Sequence, residues 1–159
     1  MRGLGLLTAL VLVSTSALPG SNTTYDDEAP IEVQQACIKW GGEYDICPEL
    51  LQAICWHESR YTEDIKSGTC VGIMQINEPV HVARIDKLGV TEILDIDENI
   101  HVGADLLAEL FASYPDAGTV LGLYHGEKDA VKKGKTGNYS SYTNEILEKS
   151  YELERIHGK

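Results

Sequence analysis

Apolar and polar residues alternate with a helical period over most of this chain. Val33, Ala36, Cys37 and Trp40 recur on one face of a helix predicted over residues 31–40, and Gly41 and Gly42 predict its end. A second helix is predicted from Pro48, a residue suited to a first helical turn, to about Glu58. Residues 59–72 (SRYTEDIKSGTCVG) lack helical period and hold turn formers, which predicts an irregular or short-stranded excursion. Residues 72–76 make a compact apolar knot, and 80–88 read as a helix ending at Gly89. The clearest helix is 97–114, with Ile100, Ala104, Leu107 and Phe111 as its stripe and Pro115 beyond its end. Residues 119–124 are apolar and predicted buried. Residues 126–138, rich in Lys and Gly, are predicted to be an exposed loop. A last helix over 140–156 turns Tyr142, Ile146 and Leu153 inward. The pattern predicts a mainly α fold: one compact helical domain over 31–159 with a short irregular or β excursion after its second helix.

The chain has 159 residues, enough for one domain with a real core. Its start is basic at Arg2, apolar from Leu4 to Val13, then small at Ser14, Thr15, Ser16 and Ala17. This order predicts a secretory signal over residues 1–20, with an uncleaved anchor as the alternative. The apolar run falls short of the roughly 20 residues of a membrane span, so stable insertion after cleavage is not expected. Residues 21–30, polar and ending on Pro30, read as a flexible linker. The expected location is therefore secreted or within the cell envelope.

A formal net charge of −12 argues against nucleic acid and against anionic membrane surfaces as partners, and leaves a neutral or sugar-like substrate open. Eight Tyr beside a single Phe suit a polar groove, since Tyr joins a flat apolar face to a hydroxyl. Four cysteines, Cys37, Cys47, Cys55 and Cys70, follow the signal. An even count in an exported chain predicts two disulfides, and the local pairs Cys37–Cys47 and Cys55–Cys70 are the expectation among three pairings. A metal site is not expected, because the spacings form no CxxC pair and His57-Glu58-Ser59 is not an HExxH motif.

One residue breaks the pattern of the second helix. Leu51, Ile54, Cys55 and Glu58 share a face, so a carboxylate closes an otherwise apolar stripe at the helix C-terminus. Burial and the carbonyl end of the helix both disfavour an ionised carboxylate there. A protonated Glu at the edge of a pocket is the general acid that glycosidic cleavage requires. The alternative is a surface ion pair with Arg60 or Lys66.

The stretch LLQAICWHESRY, followed by GIMQIN, resembles the opening of the soluble lytic transglycosylase family, in which a helix ending in Glu-Ser precedes a loop and Gly-Leu-Met-Gln. Here Glu58-Ser59 and Gly72-Ile73-Met74-Gln75 fill those places. The segment LGVTEILDIDENIHVGADLLAEL resembles the family's Asn-Ile helix, with Asn99, Ile100, Gly103 and Leu107 in register. LGLYHG resembles its Ala-Tyr-Asn-Gly turn and places Tyr124, while NYSSYTNEIL resembles its closing segment and places Tyr142. The likeness covers roughly residues 45–150. It departs from the family at His125, where Asn is usual, at Leu123, where Ala is usual, and at Pro79, displaced by Glu78.

The resemblance implies an α+β lysozyme-like fold and cleavage of peptidoglycan glycan strands between N-acetylmuramic acid and N-acetylglucosamine, without cofactor. Glu58 would be the single catalytic acid and base, leaving 1,6-anhydro ends. Among the candidate substrate-site residues Gln75, Tyr124, Tyr142, Met74 and Ser59, Gln75 and Tyr124 would position substrate, Tyr142 would line the groove or bond to Glu58, Met74 would pack beneath the site, and Ser59 would bond to local backbone. Glu63, Asp64 and Glu78 are the nearest candidates for a second carboxylate. His57, about 100° round the helix from Glu58, is expected to be structural. Such a domain acts as a free enzyme or as a component of a wall-spanning machine. A goose-lysozyme-like hydrolase and a non-catalytic glycan-binding relative are the alternatives.

Overall fold

A computed structural model describes residues 28–159. The expected signal segment and linker residues 21–27 lie outside the described residues. Along the chain run α1 (Ile31–Tyr44), α2 (Pro48–Ser59), β1 (Lys66–Ser67), β2 (Cys70–Val71), β3 (Ile76–Asn77), α3 (Glu78–Leu88), α4 (Ile96–Ser113), α5 (Ala117–Tyr124), α6 (Ala130–Thr136) and α7 (Ser141–Ile156). The mainly α fold with a small β excursion is thus the observed one. The three strands form an antiparallel sheet in sequence order, Lys66 facing Val71 and Val71 facing Ile76. No helix among the described residues is long and apolar enough to cross a membrane.

The sheet is too small to hold a core, so α2 provides the centre. It packs between α1 and α7, and Glu49, Leu50, Leu51, Gln52, Ala53, Ile54 and Cys55 are all buried. The apolar stripe seen in the sequence is one side of a helix enclosed on every side. A second layer, α4, lies against α1 and α5 and buries Ile100, Val102, Ala104 and Leu107. Asp95 caps α4 by accepting from the Glu98 backbone N–H at 3.0 Å, and the Glu98 carboxylate returns to the Thr91 and Glu92 amides at 2.7 and 2.6 Å.

Four expectations are corrected. Helix α1 does not stop at Gly41 but continues to Tyr44 and ends on Asp45, in left-handed conformation. Gly41 serves close approach: a Cβ there would stand 2.6 Å from the Ile46 carbonyl. Residues 126–138 hold α6, whose Ala130 is buried and whose Lys133 bridges Glu127 at 2.8 Å and Asp129 at 3.1 Å. The linker does not extend to Pro30, since Ala29 is buried in the core and its carbonyl accepts from the Gln34 amide at 2.6 Å. Finally, all four cysteines are free. Cys37 and Cys55 face each other across α1 and α2, fully buried and in hydrogen-bond contact, which separates them from the partners expected for them. Cys47 is exposed in the turn between those helices, with its thiol donating to Glu49 at 3.1 Å.

Glu49 anchors the start of α2. Burial alone would raise its pKa, yet His157 Nδ1 at 2.8 Å, Lys159 Nζ at 2.8 Å and the Cys47 thiol bring it from 4.5 down to about 2. A depressed carboxylate stabilises the fold above its unfolded pKa and loses that contribution as pH falls through the folded one. The window here runs from pH 4.5 to about 2. Glu49→Gln should cost about 2 kcal/mol at pH 7, reduced from the full linkage value because Lys159 is half-exposed, and the difference from wild type should close as pH approaches 2. Urea denaturation across that range checks it, and a constant difference at every pH would refute it.

A second close approach ties the layers. The Met74 side chain, fully buried, lies over Gly103 of α4, where a Cβ would meet its sulfur at 2.4 Å. Gly103→Val should therefore destabilise the protein by about 1–3 kcal/mol through overpacking, read as a lower urea midpoint with unchanged slope.

Candidate active site

The chain reverses sharply after Glu58. Arg60 and Tyr61 both adopt positive φ, 51° and 62°, and Gln75 does so again at 50°. Left-handed backbone is costly for such residues and persists where the surroundings fix it. Two polar side chains do the fixing. The Ser59 hydroxyl lies 2.9 Å from the Cys55 carbonyl and 2.8 Å from the Ile73 carbonyl, joining the last turn of α2 to the knot at 72–76. Asn99, fully buried in the first turn of α4, donates to Val71 O at 3.1 Å and Ile93 O at 2.8 Å and accepts from the Met74 amide at 2.9 Å. Gly72 allows this amide in, for a Cβ would stand 2.1 Å from it.

Glu58 emerges from this frame half-buried, on the wall of a cleft of about 590 Å³. Gln75 and Asn77 line it from the sheet side, Val80 and His81 from α3, Leu106 and Leu110 from α4, and Leu123, Tyr124 and His125 from the end of α5. The Tyr142 hydroxyl, from the first turn of α7, donates to Glu58 Oε1 at 2.6 Å. Neither cationic neighbour in sequence accounts for Glu58: the Arg60 guanidinium lies over the Trp56 ring at 3.7 Å and donates to the Trp56 carbonyl at 2.6 Å, and Lys66 sits exposed in β1.

Two tyrosine hydroxyls and one imidazole at the cleft are held toward their neutral forms. Burial first, and then the Glu58 charge, push the Tyr142 and Tyr124 hydroxyls above their ordinary range, so both remain proton donors. Tyr124 spends its proton on the Met74 carbonyl at 2.7 Å, which leaves its oxygen able to accept. Burial and the nearby Arg84 lower His81, favouring the neutral imidazole. Among the described residues no three His, Cys, Asp or Glu side chains gather as a metal site would require.

The residues singled out in the sequence fall into two sets. Glu58, Gln75 and Tyr124 line the cleft, and Tyr142 reaches it through Glu58. Met74 and Ser59 lie beneath it, buried, as does the thiol pair of Cys37 and Cys55. Gln75 turns its amide inward to the Gly72 carbonyl at 2.9 Å and the Ile65 carbonyl at 3.3 Å. Glu63, Asp64 and Glu78 do not line the cleft, and Glu63 borders a separate hollow with Asp95 and Asp97. His57 does more than expected: its ring meets the edge of Tyr142 at 4.7 Å and its Nε2 lies 3.2 Å from Glu145. Sequence reading missed His81, Asn77 and the leucines of α4 as lining residues. For Leu106 and Leu110 the signal is helical phase relative to Gly103, which needs the packing of α4 to be interpreted; His81 and Asn77, on α3 and β3, carry none.

The described structure is similar to that of an inactive mutant of the lytic transglycosylase Slt from Pseudomonas aeruginosa, with a TM-score of 0.69 at 14% identity, over 80% of this chain and 25% of that one. A protein of Enterobacteria phage PRD1 described as a transglycosylase is 34% identical over 99 residues, which is 61% of this chain and 36% of that protein. The chain thus spans about a third of the length of the curated relative it matches. A family model described as Transglycosylase SLT domain matches residues 35–147, which include the acid-bearing helix, the knot and the first turn of α7. The chain belongs to the transglycosylase SLT domain family.

Proposed function

We propose that this chain cleaves the β-1,4 bond between N-acetylmuramic acid and N-acetylglucosamine in peptidoglycan, with Glu58 as both acid and base. The observation that carries this reading is that Glu58 is the one carboxylate among the residues lining the cleft. An ordinary glycosidase needs two, about 5–9.5 Å apart across the scissile bond. With one, the second role falls to the substrate. Protonated Glu58 gives its proton to the bridging oxygen, and the bond to the muramic C1 breaks as the N-acetylglucosamine hydroxyl departs. The neighbouring acetamido carbonyl stabilises the cation at C1. Glu58, now a carboxylate, takes the proton from the muramic 6-hydroxyl as its oxygen attacks C1. The 1,6-anhydro end forms without water, and Glu58 regains its proton.

The surroundings support these roles. The Tyr142 hydroxyl, fixed on one carboxyl oxygen, holds the orientation of Glu58 and stabilises its charge once the proton has left. The Tyr124 oxygen and the polar edge of Gln75 and Asn77 offer hydrogen bonds to sugar hydroxyls and acetamides. Val80, Leu106, Leu110 and Leu123 offer an apolar wall for ring faces and methyl groups. Such a substrate lies outside the cytoplasm, in keeping with the export expected from the first twenty residues. The relatives named as transglycosylases agree with the reaction class.

Glu58→Gln should keep the fold and lower kcat by about 10²–10⁴-fold on purified sacculi. Retention of full activity by a folded Glu58→Gln protein would sink the assignment. Mass spectrometry of the released muropeptides should show products one water lighter than those of a hydrolase. Reducing ends in their place would make the chain a hydrolase with the same acid.

A further inference from the structure

His125 stands in the turn after α5, exposed at the mouth of the cleft. Its ring lies parallel to that of Tyr142, 3.9 Å between centroids and 18° between planes. Tyr142 is itself 6% exposed, and His57, the residue before the acid, closes its edge at 4.7 Å and 73°. The phenol that holds Glu58 is therefore clamped between two imidazoles, one from α2 and one from the turn after α5. His57 is in turn held by Glu145 at 3.2 Å. His125 has its own setting. The next acidic side chain, Glu127, is engaged by Lys133 at 2.8 Å and by the Ser140 hydroxyl, and Ser140 is the residue that caps α7.

We propose that His125 is a positioning residue for Glu58, acting through Tyr142. This rests on the functional reading above. A phenol has two rotatable bonds before its ring, and a hydrogen bond of 2.6 Å tolerates little swing. The edge contact from His57 restrains the ring on one side only. The parallel imidazole of His125, itself exposed at the mouth of the cleft, covers one face of the ring and shields it from solvent. Removing that ring frees the phenol to tilt and lets water compete for Glu58 Oε1. The carboxyl then loses the fixed orientation needed first toward the bridging oxygen and then toward the 6-hydroxyl. What matters here is a flat ring in that place, so the conservative replacement is Phe. The motif of the turn, Tyr124-His125-Gly126, thereby joins two functions: Tyr124 donates to the Met74 carbonyl, and His125 covers a face of the Tyr142 ring.

The test combines kinetics with a readout that needs no turnover. On purified sacculi, His125→Ala should lower kcat about tenfold with KM within about twofold, and His125→Phe should restore most of it. In a Tyr142→Phe background, His125→Ala should add little further loss, since the group it positions is gone. Additive losses, or a rise in KM alone with kcat kept, would overturn the proposal and make His125 a direct substrate contact. Independently, the Tyr142 hydroxyl proton, shifted downfield by its short bond to a carboxylate, should persist in the NMR spectrum of His125→Phe and broaden away in His125→Ala. An unchanged signal in His125→Ala refutes the positioning role whether or not sacculi are cleaved. Wild-type protein that cleaves no sacculi would refute the functional reading instead, and the hydroxyl signal would still decide this one.

Discussion

The carboxamide of Asn99 is the interaction on which the site depends. It is fully buried, both of its protons are used, and its oxygen holds the Met74 amide. Three segments, the end of β2 at Val71, the knot at Met74 and the approach to α4 at Ile93, are thereby fixed to one side chain. A buried amide with unmet partners costs far more than the net gain of a satisfied one, so the three segments are held together or released together. Through the Met74 carbonyl the frame reaches Tyr124, and through the Ile73 carbonyl it reaches Ser59 and the end of α2. The position of Glu58 is thus set from outside its own helix.

Much of this was legible in the sequence because it follows from period and chemistry that are local. The spans of α2, α4 and α7 agree with their apolar patterns to within a residue or two, and Glu58 stood out because a carboxylate interrupts a stripe. The failures share a different cause. Gly41 reads as a helix stop, since nothing nearby reveals that the Ile46 carbonyl must pass close to it. Residues 130–136 read as loop because their Lys and Gly content outweighs a single buried Ala130, which matters only once α5 lies beneath it. The cysteine pairing was argued from nearness in sequence, whereas α1 and α2 run side by side and bring Cys37 to Cys55.

The candidate site divides in the same way. Residues whose proposed role is chemical were visible by type: Glu58, Gln75, Tyr124 and Tyr142. Residues whose role is geometric were not. His125 appeared as a departure from the family pattern, and His57 as a bystander on the far face of its helix. Only the approach of α7 to both α2 and the end of α5 shows that both rings meet the same phenol. A side chain that acts by occupying space next to another carries no signature until its neighbour is placed.

The walls of the cleft differ in how they are attached. Glu58, Leu123 and Tyr124 stand on helices rooted in the core, whereas α3, which supplies Val80 and His81, buries no residue at all. It leans on the core through half-buried Ile85 and Leu88 and is fastened to α4 by Arg84, paired with Asp105 and Glu109. Such a segment opens at a free energy well below that of global unfolding. By the same argument its amide hydrogens should exchange faster than those of the buried α2. On the proposed reading of a glycan strand as substrate, the distinction has a practical consequence: a strand far longer than the cleft would enter sideways past the yielding wall, without being threaded by an end, while Glu58 kept its place on the core.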